Sequence, residues 1–504
     1  MTASRTIPLG LLLLIPACMV GPDYERPDIP LPDSWHQQLQ EGLSEGEAAL
    51  HVWWTVFNDS TLEELIRRSG TGNLDLKIAY ARIQEARALR GVAAGALVPD
   101  LNANAGIDRQ KIPAGSAFGL GSITGNMKSL GVSSSWELDV WGRIRRSVES
   151  ADATVQATVE DYRDVLVLMY AEIALNYLEL RALQLRITYA KSNLEGQQKT
   201  LSLTKDRHEA DLVPELDVKQ AEYNLARTEA IVPSLRIREA QVIHRLAVLL
   251  GEYPEELSKK LRQTAPLPKG PDSIGLTLPH NLIRQRPDVR GAERQLAAQT
   301  ARIGVATAEL YPKFTLDGFF NYASFGSGSL FSSGNEGWGV GLPIQWSLFS
   351  GGAVQSQIEA EKARTDQALE IYKRSLLLAV EEVENAIVGF VEQQKREASL
   401  LRSVAALQRS VELVQNLYKN GLTNFQNVLD MERALFEEQD RLAEIQGLAV
   451  QALVVLYSSL GGGWDPDAAE AALAKGEDPV IAPGSQPDTE GTPEEAPEEK
   501  PKQP

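Results

Sequence analysis

The stretch Ser129-Leu130-Gly131-Val132-Ser133-Ser134-Ser135-Trp136-Glu137-Leu138-Asp139-Val140-Trp141-Gly142-Arg143-Ile144 changes period partway along. Up to Val140, the series Leu130, Val132, Ser134, Trp136, Leu138 and Val140 alternates with Ser129, Gly131, Ser133, Ser135, Glu137 and Asp139. Beyond Gly142, apolar or small residues at Ile144, Val148, Ala151, Val155, Thr158, Tyr162, Val165 and Met169 step by four and three. A period of two places alternate side chains on one face of a strand, and the four-three step draws a stripe along a helix. No proline interrupts the run from Arg143 to His208, so a strand feeds directly into a helix of 66 residues. At 1.5 Å per residue such a helix is about 100 Å long, more than a globular domain needs.

The same passage occurs again about 210 residues later. Ala96-Leu97-Val98-Pro99-Asp100-Leu101 returns as Glu309-Leu310-Tyr311-Pro312-Lys313-Phe314, and Val140-Trp141-Gly142 as Leu348-Phe349-Ser350-Gly351. Leu216-Asp217-Val218 matches Gln426-Asn427-Val428, and Leu249-Leu250-Gly251 matches Ser459-Leu460-Gly461. The chain is therefore a two-fold internal repeat, each half running helix, two strands, very long helix, turn, shorter helix.

Four strands per chain follow. The first half has Leu101, Ala103, Ala105 and Ile107, then the Leu130 series; the second has Phe314, Leu316, Gly318, Phe320 and Tyr322, then Trp338, Val340, Leu342, Ile344, Trp346 and Leu348. Each run suffices for the roughly 9 to 11 residues of a tilted membrane strand, with Trp near strand ends and Gly/Ser-rich stretches, Ile112 to Met127 and Gly326 to Gly337, as loops. A soluble sheet packed on one face alternates in the same way. If the strands are in lipid, four cannot close a barrel, and open edges there demand oligomerisation: two chains would supply eight strands, three chains twelve. The second proline-free run, Gly352 to Asn420, has 69 residues. Shorter helices, Pro214 to Leu250 and Asn424 to Leu460, have 37 residues, about 55 Å; those preceding the strands, Thr71 to Ala96 and Gln285 to Leu310, add about 39 Å. One of each, stacked end to end, nearly equals one long helix, which predicts four helical columns of equal height. Pro233 should bend its helix. A solid coiled-coil rod is the other helical reading, against which the hairpins argue.

Composition narrows the function. With 50 Lys plus Arg against 68 Asp plus Glu, the formal charge is −18, unlike a nucleic-acid binder. A single cysteine excludes disulfides and cysteine-rich metal sites, the five histidines lack ligand spacing, and GxSxG, Walker A and GxGxxG are missing, so neither an enzyme, a metal nor a cofactor is expected. The cysteine is Cys18, directly after an apolar run, Ile7 to Ala17, too short to span a bilayer. Ile15-Pro16-Ala17-Cys18 reads as a lipobox, making Cys18 an acylated N-terminus held in outer-membrane lipid; a free cysteine in an uncleaved segment is the bland alternative. At the far end, Lys419 lies in a last helical turn and Gly421 suits a left-handed cap. Thr423-Asn424-Phe425-Gln426 has capping-box spacing, Asp211 can cap, and Pro214 suits a first turn.

These residues resemble the TolC-like outer-membrane efflux proteins, in their OprM/NodT-like lipoprotein branch. The resemblance is carried by Cys18-Met19-Val20-Gly21-Pro22-Asp23-Tyr24-Glu25-Arg26-Pro27, Trp136-Glu137-Leu138-Asp139-Val140-Trp141-Gly142-Arg143, Gln285-Arg286-Pro287-Asp288-Val289, Leu310-Tyr311-Pro312 and Leu348-Phe349-Ser350-Gly351-Gly352. It implies an α+β membrane protein: a homotrimer with a 12-strand β-barrel in the outer membrane and a 12-helix α-barrel in the periplasm. It further implies a periplasmic adaptor and an inner-membrane pump of RND type as partners. Asp430 falls on the family's gate carboxylate, and Asn427 where some members carry a second Asp. Tyr418 and Asp217 match a tyrosine and aspartate that latch neighbouring helices; Thr423 replaces a latch arginine, and Lys419 stands where lipoprotein members often have Arg. Acids early in a helix also suit its dipole, the plain reading of Asp217 and Asp430.

The expected organisation is a signal peptide (1–17), a lipidated segment and linker (18–70), a first repeat (71–254), a linker (255–284), a second repeat (285–464) and an acidic Pro/Glu-rich tail (465–504). The tail holds 11 acids and 3 lysines, a net −8, so much of the acidity lies outside the folded body. The expected function is a passive, gated exit duct for small toxic molecules. A periplasmic adaptor or scaffold lipoprotein, and the exit duct of a type I protein secretion system, are the alternatives.

Overall fold

The computed structural model describes residues 19–37, 39–46, 50–113, 122–271, 273–276, 279 and 283–465. Cys18, the expected signal peptide and nearly all of the acidic tail lie outside the described residues.

The helices are α1 (Ser60–Gly72), α2 (Leu74–Gly95), α3 (Arg143–Glu209), α4 (Glu215–Glu229), α5 (Ile231–Leu249), α6 (Pro254–Leu261), α7 (Pro287–Ala308), α8 (Ala353–Lys419) and α9 (Phe425–Ser459). The strands are β1 (Leu43–Glu45), β2 (Asp100–Ile112), β3 (Ile123–Leu138), β4 (Ile274–Leu276), β5 (Lys313–Phe325), β6 (Glu336–Gly341) and β7 (Ile344–Gln345).

Helices α3 and α8 each run unbroken for 67 residues, about 100 Å. Both start at a left-handed glycine, Gly142 (φ 80°) and Gly352 (φ 86°), where the chain turns from strand to helix in a conformation that costs other residues about 1–2 kcal/mol. The neighbouring acids make the first turn. Asp139 accepts from the backbone N–H groups of Ile144 and Arg145, both at 2.9 Å, supplying the cap that glycine lacks. Glu137 holds Arg143 through two bonds of 2.8 and 2.7 Å. The repeat extends to side chains: the indole N–H of Trp136 donates to the Leu97 carbonyl and that of Trp346 to the Leu310 carbonyl, both at 3.0 Å.

Four columns stand side by side. Helix α3 packs against α2, α4 and α5 on one flank and against α7 and α9 on the other, while α8 packs along α7 and α9. The short helices meet end to end. Asn73, which caps α2, donates from its amide to the Leu249 carbonyl at the end of α5 (2.8 Å), and Arg286, before α7, donates to the Ser459 carbonyl at the end of α9 (2.6 Å). Helix α9 is apolar and long enough to cross a membrane by composition, but it lies between α3 and α8. The break between α4 and α5 falls at Ala230, where Pro233 withholds the N–H that the Glu229 carbonyl would accept.

The strands form an antiparallel sheet, ordered β2-β3-β5 with β6 and β7 both on β5. Its register collects the apolar series on one face: Val132 sits opposite Ala103 and Phe320, and Phe320 opposite Trp338. The other face carries Asn104, Ser133 and Asp317. No layer of the described chain covers the apolar face; Leu101, Ile107, Trp338 and Val340 are about three-quarters exposed. Two expectations are corrected. The β2–β3 hairpin is longer than its alternation suggested, continuing to the Ile112–Ile123 pair and so into the predicted loop. The fourth strand is not one ladder: it stops at Gly341 and resumes at Ile344, because Pro343 has no N–H to donate. The Pro343 carbonyl still accepts from Thr315 (3.1 Å), so the register survives the gap.

A further departure lies in the two segments read as linkers. Parallel pairing of β1 with β4 ties one to the other. After β1 a 3-10 helical stretch kinked at Val52 (Leu50–Phe57) buries Trp53, Trp54 and Phe57, with Trp54 edge-on to Tyr170 of α3 (4.9 Å) and Trp53 stacked on Tyr457 of α9 (5.8 Å). Asp59 caps α1 and accepts from the Tyr177 hydroxyl at 2.7 Å. These segments form a folded layer on the middle of the columns.

Candidate functional site

The candidate site is the tip where α3 turns into α4 and α8 into α9. Each long helix ends in a Schellman turn: Leu212 donates to the Arg207 carbonyl and Leu422 to the Leu417 carbonyl, both at 2.9 Å. The left-handed residues are Asp211 (φ 54°) and Gly421 (φ 73°). Gly421 takes its expected place. Asp211 occupies the equivalent C-terminal position, which aspartate tolerates, instead of capping the next helix. Pro214 itself stands at the N-cap of α4, with no side-chain cap bond, one residue before the first turn expected for it. In the second turn the capping residue is Asn424, whose side chain accepts from Asn427 N–H (3.1 Å); Thr423 instead accepts from the Asn427 side chain (2.8 Å), so the predicted capping box is shifted by one residue. Gln426 points along the helix and donates to Asp430 at 2.8 Å.

A residue unremarked in the sequence organises this tip. Arg207, in the last turn of α3, reaches across to the end of α8, donating to the Tyr418 carbonyl and to the Lys419 carbonyl (3.0 Å). Its guanidinium lies 4.7 Å from the Tyr418 ring centre. The Tyr418 ring packs on Phe425 (5.3 Å) within a small core containing Ala221, Val428 and Leu429. The signal for Arg207 in the sequence was its place: a cation in a last helical turn complements the carbonyl end of the dipole.

The expected residues are brought together unevenly. Tyr418 and Asp217 lie within electrostatic reach of each other and of Arg207. Burial pushes the Tyr418 hydroxyl and the Asp217 carboxyl above their ordinary values, with Arg207 opposing both shifts. The Tyr418 hydroxyl lies beside Thr204, whose own proton goes to the Thr200 carbonyl (2.8 Å), and it has no hydrogen-bond partner among the described residues. Tyr418 therefore holds its neighbours through its ring, not through a hydrogen bond to Asp217. Asp430 is exposed, and Lys419 contributes its backbone carbonyl to Arg207.

Above the tip the seam between α3 and its neighbours is polar. Glu432 is buried and accepts from the Thr200 hydroxyl (2.6 Å) and the Gln415 amide (3.0 Å). One level higher, Asn193 donates to Gln439 at 2.6 Å. Such a seam holds by directional bonds, which side chains can exchange when helices shift, unlike a close-packed apolar one.

At the opposite end the chain just after Cys18 is fixed at the strand-to-helix junction. Val20 N–H donates to the Trp141 carbonyl (3.1 Å), and Arg146 donates to the Val20 carbonyl (3.2 Å) and to Asp23 (2.6 Å). Met19 packs on Gly142, where a Cβ would approach its side chain to 2.6 Å. Further along, Tyr24 and Arg26 both reach Glu293 of α7. Met19 and Val20 are thus held where the sheet with the exposed apolar face passes into α3.

A chain of this build matches the model of the family described as outer membrane efflux protein over residues 65–252 and 278–462. It is 30% identical over 462 residues to nodulation protein T of Rhizobium leguminosarum bv. trifolii, covering 90% of this chain and 96% of that one. It is also 30% identical over 467 residues to the pyoverdine export outer membrane protein OpmQ of Pseudomonas aeruginosa, covering 91% and 97%. Among solved structures, the outer-membrane channel OprN superposes with a TM-score of 0.83 at 37% identity, covering 89% of this chain and all of that one. The chain belongs to the outer membrane efflux protein family, and its place is the outer membrane.

Proposed function

We propose that three copies close into one duct, four strands from each making a twelve-stranded barrel in the outer membrane and four columns from each a helical barrel in the periplasm. The observation that carries this is the sheet: an apolar face and two edges that no described residue covers or pairs, on columns about 100 Å tall. In lipid the apolar face is satisfied, and the edges are satisfied only by pairing with further copies. The duct passes drugs or other small toxic molecules delivered by an inner-membrane pump of RND type through a periplasmic adaptor, and performs no chemistry of its own. Cys18 carries the acyl anchor, which fits the fixing of Met19 and Val20 beside the sheet.

The tip is the gate in this reading. Asp430 is exposed on α9, and three copies around one axis repel one another and share protons. Asp217, Tyr418, Lys419 and Arg207 hold the two hairpins of each chain together beside it. A deletion strain should become sensitive to small toxic compounds, and Asp430→Ala should raise single-channel conductance and admit large antibiotics. Unchanged conductance and permeability in Asp430→Ala would remove Asp430 from the gate, and unchanged susceptibility of the deletion strain would overturn the efflux role.

A further inference from the structure

Midway along the columns the wall is dented. Where α9 ends at Ser459 and α7 begins at Pro287, two helix ends meet where a continuous helix would fill the space. The gap, flanked by α3 and α8, is a cavity of about 840 Å³, within the range of small-molecule sites. Its apolar wall includes Leu168 of α3 and Leu448 and Val455 of α9, which are 56%, 37% and 44% exposed. Leu168 is two residues from Tyr170, about 200° around the helix, and Tyr170 is buried under Trp54. The cavity therefore opens on the face away from the folded mid-height layer.

One end of the cavity is acidic. Asp164, Asp288 and Glu382 line it together with Arg286. The guanidinium is already engaged, bonding to Asp288 (2.8 Å), Glu382 (2.7 Å) and the Ser459 carbonyl (2.6 Å). Asp164 makes no hydrogen bond among the described residues, and burial, with Asp288 beside it, pushes its carboxyl up to about 6. A carboxylate without a hydrogen bond among the described residues, beside an apolar wall, asks for one kind of guest: N–H donors and positive charge on an apolar body.

We infer that this cavity is a binding station for amphipathic organic cations, the apolar body lying on Leu168, Leu448 and Val455 and the ammonium group against Asp164. Its position on the export path rests on the duct reading; the binding itself does not. A station of this kind selects cations over anions of equal size before they reach the barrel.

The test uses the full-length protein in lipid nanodiscs, with rhodamine 6G as the cationic probe and carboxyfluorescein as the anionic one, followed by fluorescence anisotropy. Saturable binding of rhodamine 6G alone is expected. It should weaken about 10-fold in Asp164→Asn, the loss of one charge contact in a partly screened site, and several-fold in the Leu168→Ser, Val455→Ser double variant. Both leucine-wall positions are partly exposed, so circular dichroism and the melting midpoint should not change. Affinity should fall as pH drops from 8 to 5. Asp164 is faced by Asp161 on its own helix, Asp288 and Arg286 from the start of α7, and Glu382 from α8. If Asp164 carries the effect, the pH dependence disappears in Asp164→Asn. Equal affinities in both variants, equal binding of carboxyfluorescein, or an unchanged pH profile in Asp164→Asn would overturn the station. Conductance of the same protein in planar bilayers reads the duct separately: conducting channels without saturable dye binding overturn the station alone, and loss of conductance overturns the duct whatever the dye does.

Discussion

Replacing Arg207 by alanine removes the strap between the two hairpins of one chain. The guanidinium supplies one charge-assisted bond to the partly buried Tyr418 carbonyl and one to the more exposed Lys419 carbonyl. The first is worth about 1.5 kcal/mol and the second about 0.5 kcal/mol at an exposed site. Its position 4.7 Å from the Tyr418 ring centre adds about 0.5–1 kcal/mol. The sum, about 2.5–3 kcal/mol, raises the population of the separated tip about 70- to 160-fold. Hydrogen exchange with mass spectrometry on peptides covering 205–214 and 414–424 reads that population directly. Arg207→Ala should accelerate exchange in both segments together, and Arg207→Lys should fall between, because an ammonium cannot bond two carbonyls while lying flat on a ring. Arg409→Ala, which removes an exposed pairing with Glu412 two turns earlier, is the control and should leave the tip unchanged. Exchange at the tip within twofold of the parent in Arg207→Ala would refute the strap.

Other outcomes follow from neighbouring geometry. Tyr418→Phe should leave tip exchange and thermal stability nearly unchanged, because the hydroxyl has no partner among the described residues, whereas Tyr418→Ala empties the centre of the small tip core and should cost about 3–5 kcal/mol. Burial raises the Glu432 carboxyl above its ordinary value of 4.5, so its contribution to stability is full below that value and is lost as pH rises through the folded one. Glu432→Gln keeps an acceptor for Thr200 and Gln415 without the charge; its melting midpoint should exceed the parent's at pH 8, with the gap closing toward pH 4.5. In Gly72→Ala the new Cβ would lie 2.1 Å from the Leu250 carbonyl oxygen, forcing the stacked ends of the first column apart at about 1–3 kcal/mol; Gly91→Ala, with open space around it, should be neutral or stabilising in the same melt. Cys18→Ser should abolish incorporation of labelled palmitate.

What the sequence disclosed depended on how far the deciding contacts lie along the chain. The long helices declare themselves locally, since 67 residues without proline and with a steady four-three step admit little else. The sheet is nearly as open to reading, because alternation names the faces before the register is known. Pro343 could have been weighed against the fourth strand from the sequence alone. The folded mid-height layer could not: β1 and β4 are three residues each, too short for a period, and Trp53 finds its partner in Tyr457. Within the site, residue types were legible and their partners were not. Asp430, Asp217 and Tyr418 stand out by type and position, but Arg207 lies among the ordinary charged residues Lys205, Asp206 and His208, and only the crossing of two helix ends, 211 residues apart in sequence, gives it carbonyls to hold. Caps slipped by a residue because Thr423 and Asn424 are both good capping types, and the backbone chooses between them.

The central claim is that one chain is a third of a barrel. Native mass spectrometry of the lipidated protein extracted from outer membranes measures this without reference to transport. Three chains of the mature protein in a single particle, with three acyl anchors, are expected, and the same particle should persist on dilution. A particle of one or two chains would leave four or eight strands to meet the lipid and would contradict the account.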